Sequence, residues 1–179
     1  MAAPPVPTRG PRIALAAAIA GLSLGLDLWS KAWVWNNLRD QAAWKVSDKL
    51  LHFDFACNPG SAFGFLNDVD WARYFFIVIT LAAVGYLVHL ARTLPTSSRA
   101  AFVAIGLIAG GALGNLHDRL VRVYSGDYCV VDFIVVYIWP GKTWPAFNIA
   151  DAVLVAGVLL FLLVLPRTEA AAADAPPSA

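Results

Sequence analysis

The chain has 179 residues, of which 59% are apolar and only 14% charged, with a net charge of +1 and a mean hydropathy of +0.65. Soluble domains average roughly 45–50% apolar and about 25% charged residues, so an ordinary soluble fold is excluded in favour of a multi-span membrane protein. A net charge near zero offers nucleic acid no electrostatic handle, and no nucleic-acid partner is expected. Acidic residues are eleven Asp against one Glu.

Residues 1–12, with four prolines among the first eleven, read as a disordered N-terminal tail. Arg9 and Arg12 then precede an apolar stretch, as in a secretory signal. That stretch meets no small-residue cleavage site and runs through Asp27 to the aromatic Trp33 and Trp35, so it reads as a retained first span over residues 13–35. Residues 36–70 form a long excursion, in which Leu51, His52, Phe53, Asp54 and Phe55 alternate as a strand does. A second span covers 71–91, and a tight turn containing Pro95 leads to a third over 100–120. Gly106, Gly110, Gly111 and Gly114 in that third span allow close helix contact. A second excursion, 121–144, has β-branched runs around Asp132, and a fourth span covers 145–165. Residues 167–179 read as a disordered Ala/Pro tail.

Each span has about 20 residues, enough for the roughly 30 Å hydrocarbon core. The expected fold is an all-α polytopic membrane protein, one domain over 13–166 with four transmembrane helices and a small extramembrane β-rich cradle. Parity puts both excursions on one side, and both termini and the short turn on the other. Trp29, Trp33, Trp35, Trp71, Trp139 and Trp144 cluster on the excursion side, as interfacial anchors would. A raw count of Lys and Arg favours that same side. Arginines unaccompanied by acids at Arg9, Arg12, Arg92 and Arg99 instead point to termini in the cytoplasm.

A carboxylate at or inside the bilayer edge is costly and usually functional. Asp27, Asn58, Asn115, Asp118, Asp132, Asn148 and Asp151 all fall on the excursion side of the midplane. Asp27 and Lys31 are spaced i,i+4 and can pair, and Arg119 adjoins Asp118. Asp132 and Asp151 have no local basic neighbour, which leaves them as the pair suited to share one proton. One carboxylate would activate water and the other, protonated, would polarise a carbonyl. Rival chemistries lack support: there is no HExxH, CxxC, Walker or dinucleotide motif, and no third residue orients Ser61 with His52 or His117. Cys57 and Cys129 have no metal-ligand spacing and are expected to be free thiols acting as small hydrophobes. A proton-coupled transporter would need the polar path to continue across the nearly uncharged short-turn half. A non-catalytic scaffold explains the glycines but not two unpaired Asp.

Five stretches carry a family resemblance: Asp27-Leu-Trp-Ser-Lys31, Asn58-Pro-Gly-Ser-Ala-Phe63, Gly110-Gly-Ala-Leu-Gly-Asn-Leu-His-Asp-Arg119, Val130-Val-Asp-Phe133 and Phe147-Asn-Ile-Ala-Asp151. In this order the chain resembles the lipoprotein signal peptidases, the type II signal peptidases of bacterial inner membranes. The resemblance implies four membrane helices, cytoplasmic termini and a periplasmic β-cradle. It further implies a membrane aspartyl endopeptidase that removes signal peptides from diacylglyceryl-modified prolipoproteins before the lipidated cysteine. Asp132 and Asp151 match the family's catalytic dyad. Asp27, Asn58, Gly60, Asn115, Asp118, Arg119 and Asn148 match residues that line or support the site, with Lys31 beside Asp27. Leu28 stands where the family usually has Gln, and Pro59 where Thr is common; neither touches the dyad. Catalysis by carboxylates and water implies no metal or organic cofactor. The expected partners are lipid-modified prolipoproteins and membrane lipid, with the enzyme itself a monomer.

Overall fold

The computed structural model describes residues 8–59 and 71–173, with side chains described as far as Val164. In chain order the elements are α1 (Arg9–Asn37), β1 (Trp44–Ser47), β2 (Leu51–Asn58), α2 (Ala72–Thr93), α3 (Arg99–Val121), β3 (Val123–Tyr124), β4 (Asp127–Tyr128), β5 (Val130–Trp139), β6 (Lys142–Thr143) and α4 (Ile149–Ala173). Two of these overrun the expected tails. Helix α1 begins at Arg9, inside residues 1–12, and α4 continues past Arg167 to Ala173. The α4 extension is rich in Ala, a strong helix former, and Pro11 of the α1 extension falls in the first turn, where its missing N–H is no loss.

α1, α2 and α3 are long and apolar enough to cross a membrane, and α4 adds the shorter apolar stretch Ile149–Val164. α3 is the hub: 61% of its apolar window is buried, against 17% for α1 and 11% for α2. Lipid is as apolar as a helix face, so helices associate through close packing of small residues. Gly106, Gly110 and Gly114 recur every fourth residue and meet α1; a Cβ on Gly106 would lie 2.6 Å from Ala16 O, and one on Gly110 2.7 Å from Ala20 O. Gly111 faces α4 instead, against Ala150 O. The outward faces of α2 and α4 carry exposed Phe75, Val78, Ile79, Leu159 and Leu162, the surface lipid would cover.

A Cβ on Gly114 would overlap the Asp27 carboxylate and approach Ala150 Cβ to 3.3 Å. Gly114→Ala is therefore expected to destabilise the bundle by about 1–3 kcal/mol, the usual cost of overpacking. Gly85 has open space around it, so Gly85→Ala is the matched control. Thermal unfolding in detergent micelles checks this: a lower midpoint for Gly114→Ala and an unchanged or raised one for Gly85→Ala, since Ala is the better helix former, is expected.

At the short-turn end, Arg9 Nη1 donates to Leu94 O at 2.9 Å and Arg12 Nε to Thr96 O at 3.0 Å. These arginines thus bond carbonyls at and just beyond the C-terminal end of α2, besides flanking the spans. Ala16, Leu87, Ala91, Phe102 and Ile105 fill that end of the bundle.

At the other end lies a four-stranded antiparallel sheet in the order β1-β2-β5-β6. The alternation of residues 51–55 predicts a strand in the first excursion; the sheet is completed by strands from the second. β3 and β4 form a separate hairpin whose loop residues, Ser125 (φ 52°) and Gly126 (φ 97°), both have positive φ, as the tightest hairpin turns require. Trp35 is half-buried and packs on Phe55 and Tyr124, with the Arg39 and Arg122 guanidinium groups 4.6 and 4.9 Å from its ring.

The cysteines overturn the expectation of free thiols. Cys57 and Cys129 are disulfide-bonded, with Cα atoms 5.4 Å apart. Their separation of 72 residues hides the contact in sequence; the pairing of Cys57 with Val131 across β2 and β5 brings Cys129 alongside.

Candidate active site

Asp132 is the third residue of β5 and is buried at 4% exposure. Two flanking segments meet it. On one side β2 delivers Asn58, whose Nδ2 donates to Asp132 Oδ2 at 2.9 Å. On the other, the chain entering α4 runs along β5, with Phe133 N and Ile134 N both donating to Phe147 O at 3.0 and 2.8 Å. That docking sets Asn148 beside Asp132, and Asn148 Nδ2 donates to Asp132 Oδ1 at 2.7 Å.

Asn148 also starts α4. Its Oδ1 accepts from Asp151 N at 2.9 Å, while Asp151 Oδ2 accepts from Asn148 N at 3.1 Å. This is a reciprocal capping box, with Asp at the position usually held by Glu. The i,i+3 spacing is thus a helix-start signal, and α4 begins at Ile149 rather than at the expected residue 145. Asp151 stands in its first turn, where the helix dipole favours a negative charge.

Asn115 of α3 completes the link. Its Nδ2 donates to Asp151 Oδ1 at 2.7 Å, and its Oδ1 accepts from Asn148 Nδ2 at 3.1 Å and Lys31 Nζ at 2.9 Å. Asp132 and Asp151, from a strand and a helix, are therefore joined through two amide side chains. Neither forms an ion pair among the described residues. Burial pushes the Asp132 carboxyl up from its ordinary 3.8 to about 6; the Asp151 charge adds to this, and the Asn58 and Asn148 donors oppose it.

Beneath lies a fully buried charge cluster. Lys31 Nζ sits 2.8 Å from Asp27 Oδ2 and 3.6 Å from Asp118 Oδ2, with all three side chains at 0% exposure. Asp27 Oδ1 accepts from Ala150 N at 2.8 Å, an otherwise orphaned amide in the first turn of α4. Asp118 accepts from Arg122 Nε at 2.9 Å and from Val131 N at 3.1 Å. Arg119 does not pair with Asp118 as its adjacency implied, because consecutive helix residues point apart. Its Nη1 donates to Asn115 O at 3.2 Å, its guanidinium lies 5.0 Å from the Phe76 ring, and its charge acts on Asp151 and Asp132 as well as Asp118. The partner that sequence reasoning missed is Arg122, four residues after Asp118, for which helical spacing was the signal; Val131 N and Ala150 N had none.

Gly60 and Ser61 lie outside the described residues. His52 packs on Tyr137 and pairs with Val135 in the sheet. His117 Nδ1 lies 3.3 Å from Asp118 Oδ1.

A family model described as signal peptidase (SPase) II matches residues 19–166, which contain every residue of this network. The chain belongs to the signal peptidase II family. The lipoprotein signal peptidase of Xanthomonas oryzae pv. oryzae is 39% identical over 143 residues, covering 79% of this chain and 82% of its own. That of Geobacter metallireducens is 36% identical over 159 residues, covering 89% and 94%. Two solved structures, described as bacterial membrane enzymes obtained by the in meso method, share the fold. One has a TM-score of 0.70 and 28% identity over 92% of this chain and 93% of its own; the other has 0.69 and 30% over 84% and 91%. This signal peptidase II is thus an aspartic-type protease acting on lipoprotein precursors.

Proposed function

We propose that Asp132 and Asp151 are the catalytic dyad with which this peptidase removes signal peptides from diacylglyceryl-modified prolipoproteins, cleaving before the lipidated cysteine. The observation that carries the assignment is the amide bridge: Asn148 bonds Asp132, Asn115 bonds Asp151, and the two amides bond each other. In this reading Asp132 keeps the shared proton, because burial raises it toward neutrality, and Asp151 acts as base. Each carboxyl oxygen has two acceptor sites, so a proton fits beside the amide donor. Asp151 takes a proton from water as it attacks the scissile carbonyl, while Asp132 donates to the carbonyl oxygen; the proton later reaches the leaving amine. The Arg119 charge interacts with both carboxyls, and the Lys31 charge opposes the rise at Asp132.

The substrate's diacylglyceryl chains remain in lipid against the apolar helix faces and hold the cleavage point at the depth of the dyad, lowering the entropic cost of alignment. Four crossings, with both termini cytoplasmic and the sheet and dyad on the periplasmic side, complete the reading. The Cys57–Cys129 disulfide supports this side, since such bonds persist in oxidising compartments. Reporter fusions after Arg167 and between residues 95 and 98 should read cytoplasmic, and those between residues 40 and 49 periplasmic. Opposite signals at the two ends would rule out four crossings. A transporter is disfavoured because the far end of the bundle is filled by Phe102, Ile105 and Leu87.

The pH–rate profile tests the shared proton. The profile of kcat/KM should be bell-shaped, its limbs belonging to the pair. The Asn58 amide favours ionised Asp132, so Asn58→Ala should move the upper limb to higher pH. A chelator should leave the rate unchanged, and a precursor without the diacylglyceryl group should be cleaved poorly. Loss of activity with EDTA and its return with metal would overturn the assignment.

A further inference from the structure

The register of β2 against β5 shifts between Phe53 and Ala56, leaving a short ladder of three pairs beyond the bulge. These are Ala56 with Asp132, Cys57 with Val131, and Asn58 with Val130. This ladder carries both partners of the Asn58–Asp132 hydrogen bond. Three pairs at the end of a strand are the part of a sheet most prone to open locally. Asp132 itself is held independently of β2: Val131 N is bonded to Asp118, Phe133 N to Phe147 O, and Asn148 to Asp132 Oδ1. Asn58 lies on the β2 side of this ladder.

The disulfide sits at this point. Cys57 immediately precedes Asn58, and Cys129, at 1% exposure, immediately precedes β5. Consecutive strand residues point to opposite faces. The S–S bond therefore links the strands on one face, and the Asn58–Asp132 bond links them on the other.

We propose that the Cys57–Cys129 disulfide is a positioning element of the dyad: it pins the end of β2 to the start of β5, holds the Asn58 carboxamide on Asp132, and makes cleavage faster with the bond closed than open. This rests on reading Asp132 as catalytic. The cysteines act through Asn58 and do not touch the reacting atoms. Opening by a dithiol such as dithiothreitol breaks the S–S bond and forms two thiols. The two electrons and two protons come from the dithiol, which closes to its cyclic disulfide.

The full-length protein in detergent micelles is assayed with a diacylglyceryl-modified prolipoprotein, oxidised and after dithiothreitol, with thiol labelling to verify opening. The Cys57→Ser/Cys129→Ser variant provides the same comparison where the bond resists the dithiol, and reduction of folded wild type serves if that variant fails to fold. Opening should lower kcat by up to roughly tenfold, the scale of losing one hydrogen bond, with KM little changed and recovery on re-oxidation. The upper limb of the pH profile should move to higher pH, as in Asn58→Ala, and opening the bond in Asn58→Ala should add no further loss. Unchanged kcat and profile on opening, with Asp132→Asn inactive, would overturn the positioning role alone. Losses that multiply with Asn58→Ala would also overturn it, because the bond would then act elsewhere in the fold. An active Asp132→Asn would instead remove the dyad reading on which the proposal stands.

Discussion

Asp132→Asn and Asp151→Asn each abolish turnover and leave a folded protein that still binds the lipidated precursor: this is the expected result if the two carboxyls share the chemistry. Asn keeps the size of Asp but neither takes a proton from water nor donates an acidic one, so general acid–base catalysis is lost together with the charge. Stability should move the other way at position 132. A carboxyl raised from 3.8 to about 6 contributes stability in its protonated form, and that contribution is lost as pH rises through about 6. Where it does ionise, above that pH, the charge costs the fold about 3 kcal/mol, taking roughly 1.4 kcal/mol per pH unit. Asn cannot ionise, and the Asn58 amide can turn its oxygen toward the new NH2. The variant should therefore unfold at a temperature no lower than wild type while cleaving at background rate. Substantial turnover by either variant would remove the dyad assignment. A large fall in the midpoint for Asp132→Asn would instead show that its ionised form stabilises the fold.

Lys31→Met should damage the fold more than Gly114→Ala or either Asp variant of the dyad. The Lys31 ammonium stands among Asp27, Asp118 and Asn115 with no solvent access. Removing it leaves two buried carboxylates short of a counter-charge, although Ala150 N still serves Asp27, and Arg122 and Val131 N still serve Asp118. Removing one partner of a buried pair costs about 3–5 kcal/mol, which lowers the thermal midpoint by roughly 10 °C for a chain of this length. Activity falls with it, since Lys31 also orients Asn115, the donor to Asp151. Asp27→Asn added to Lys31→Met removes one stranded charge while keeping an acceptor for Ala150 N, and should recover part of the lost stability. Unfolding followed by tryptophan fluorescence in micelles distinguishes these cases. A wild-type midpoint for Lys31→Met would mean that the cluster does not balance charge as described.

Hydrophobic runs and their parity, read along the chain, put Asp27, Asn58, Asn115, Asp118, Asp132, Asn148 and Asp151 on one side, and the absence of near basic residues singled out Asp132 and Asp151. These are one-dimensional properties: a span needs only length and apolar composition, and a local ion pair needs only helical spacing. Partners that converge from distant segments had no such signal. Asp118 turns from its neighbour Arg119 toward Arg122 and Lys31, because side-chain direction on a helix outweighs adjacency. Cys57 meets Cys129 because the β2–β5 register carries one strand past the other. The sequence by itself determined which residues lie at the depth of the candidate site. The tertiary structure decided which of them touch, because in a low-dielectric interior each buried polar group takes the donor or acceptor that backbone register and helix packing bring within about 3 Å.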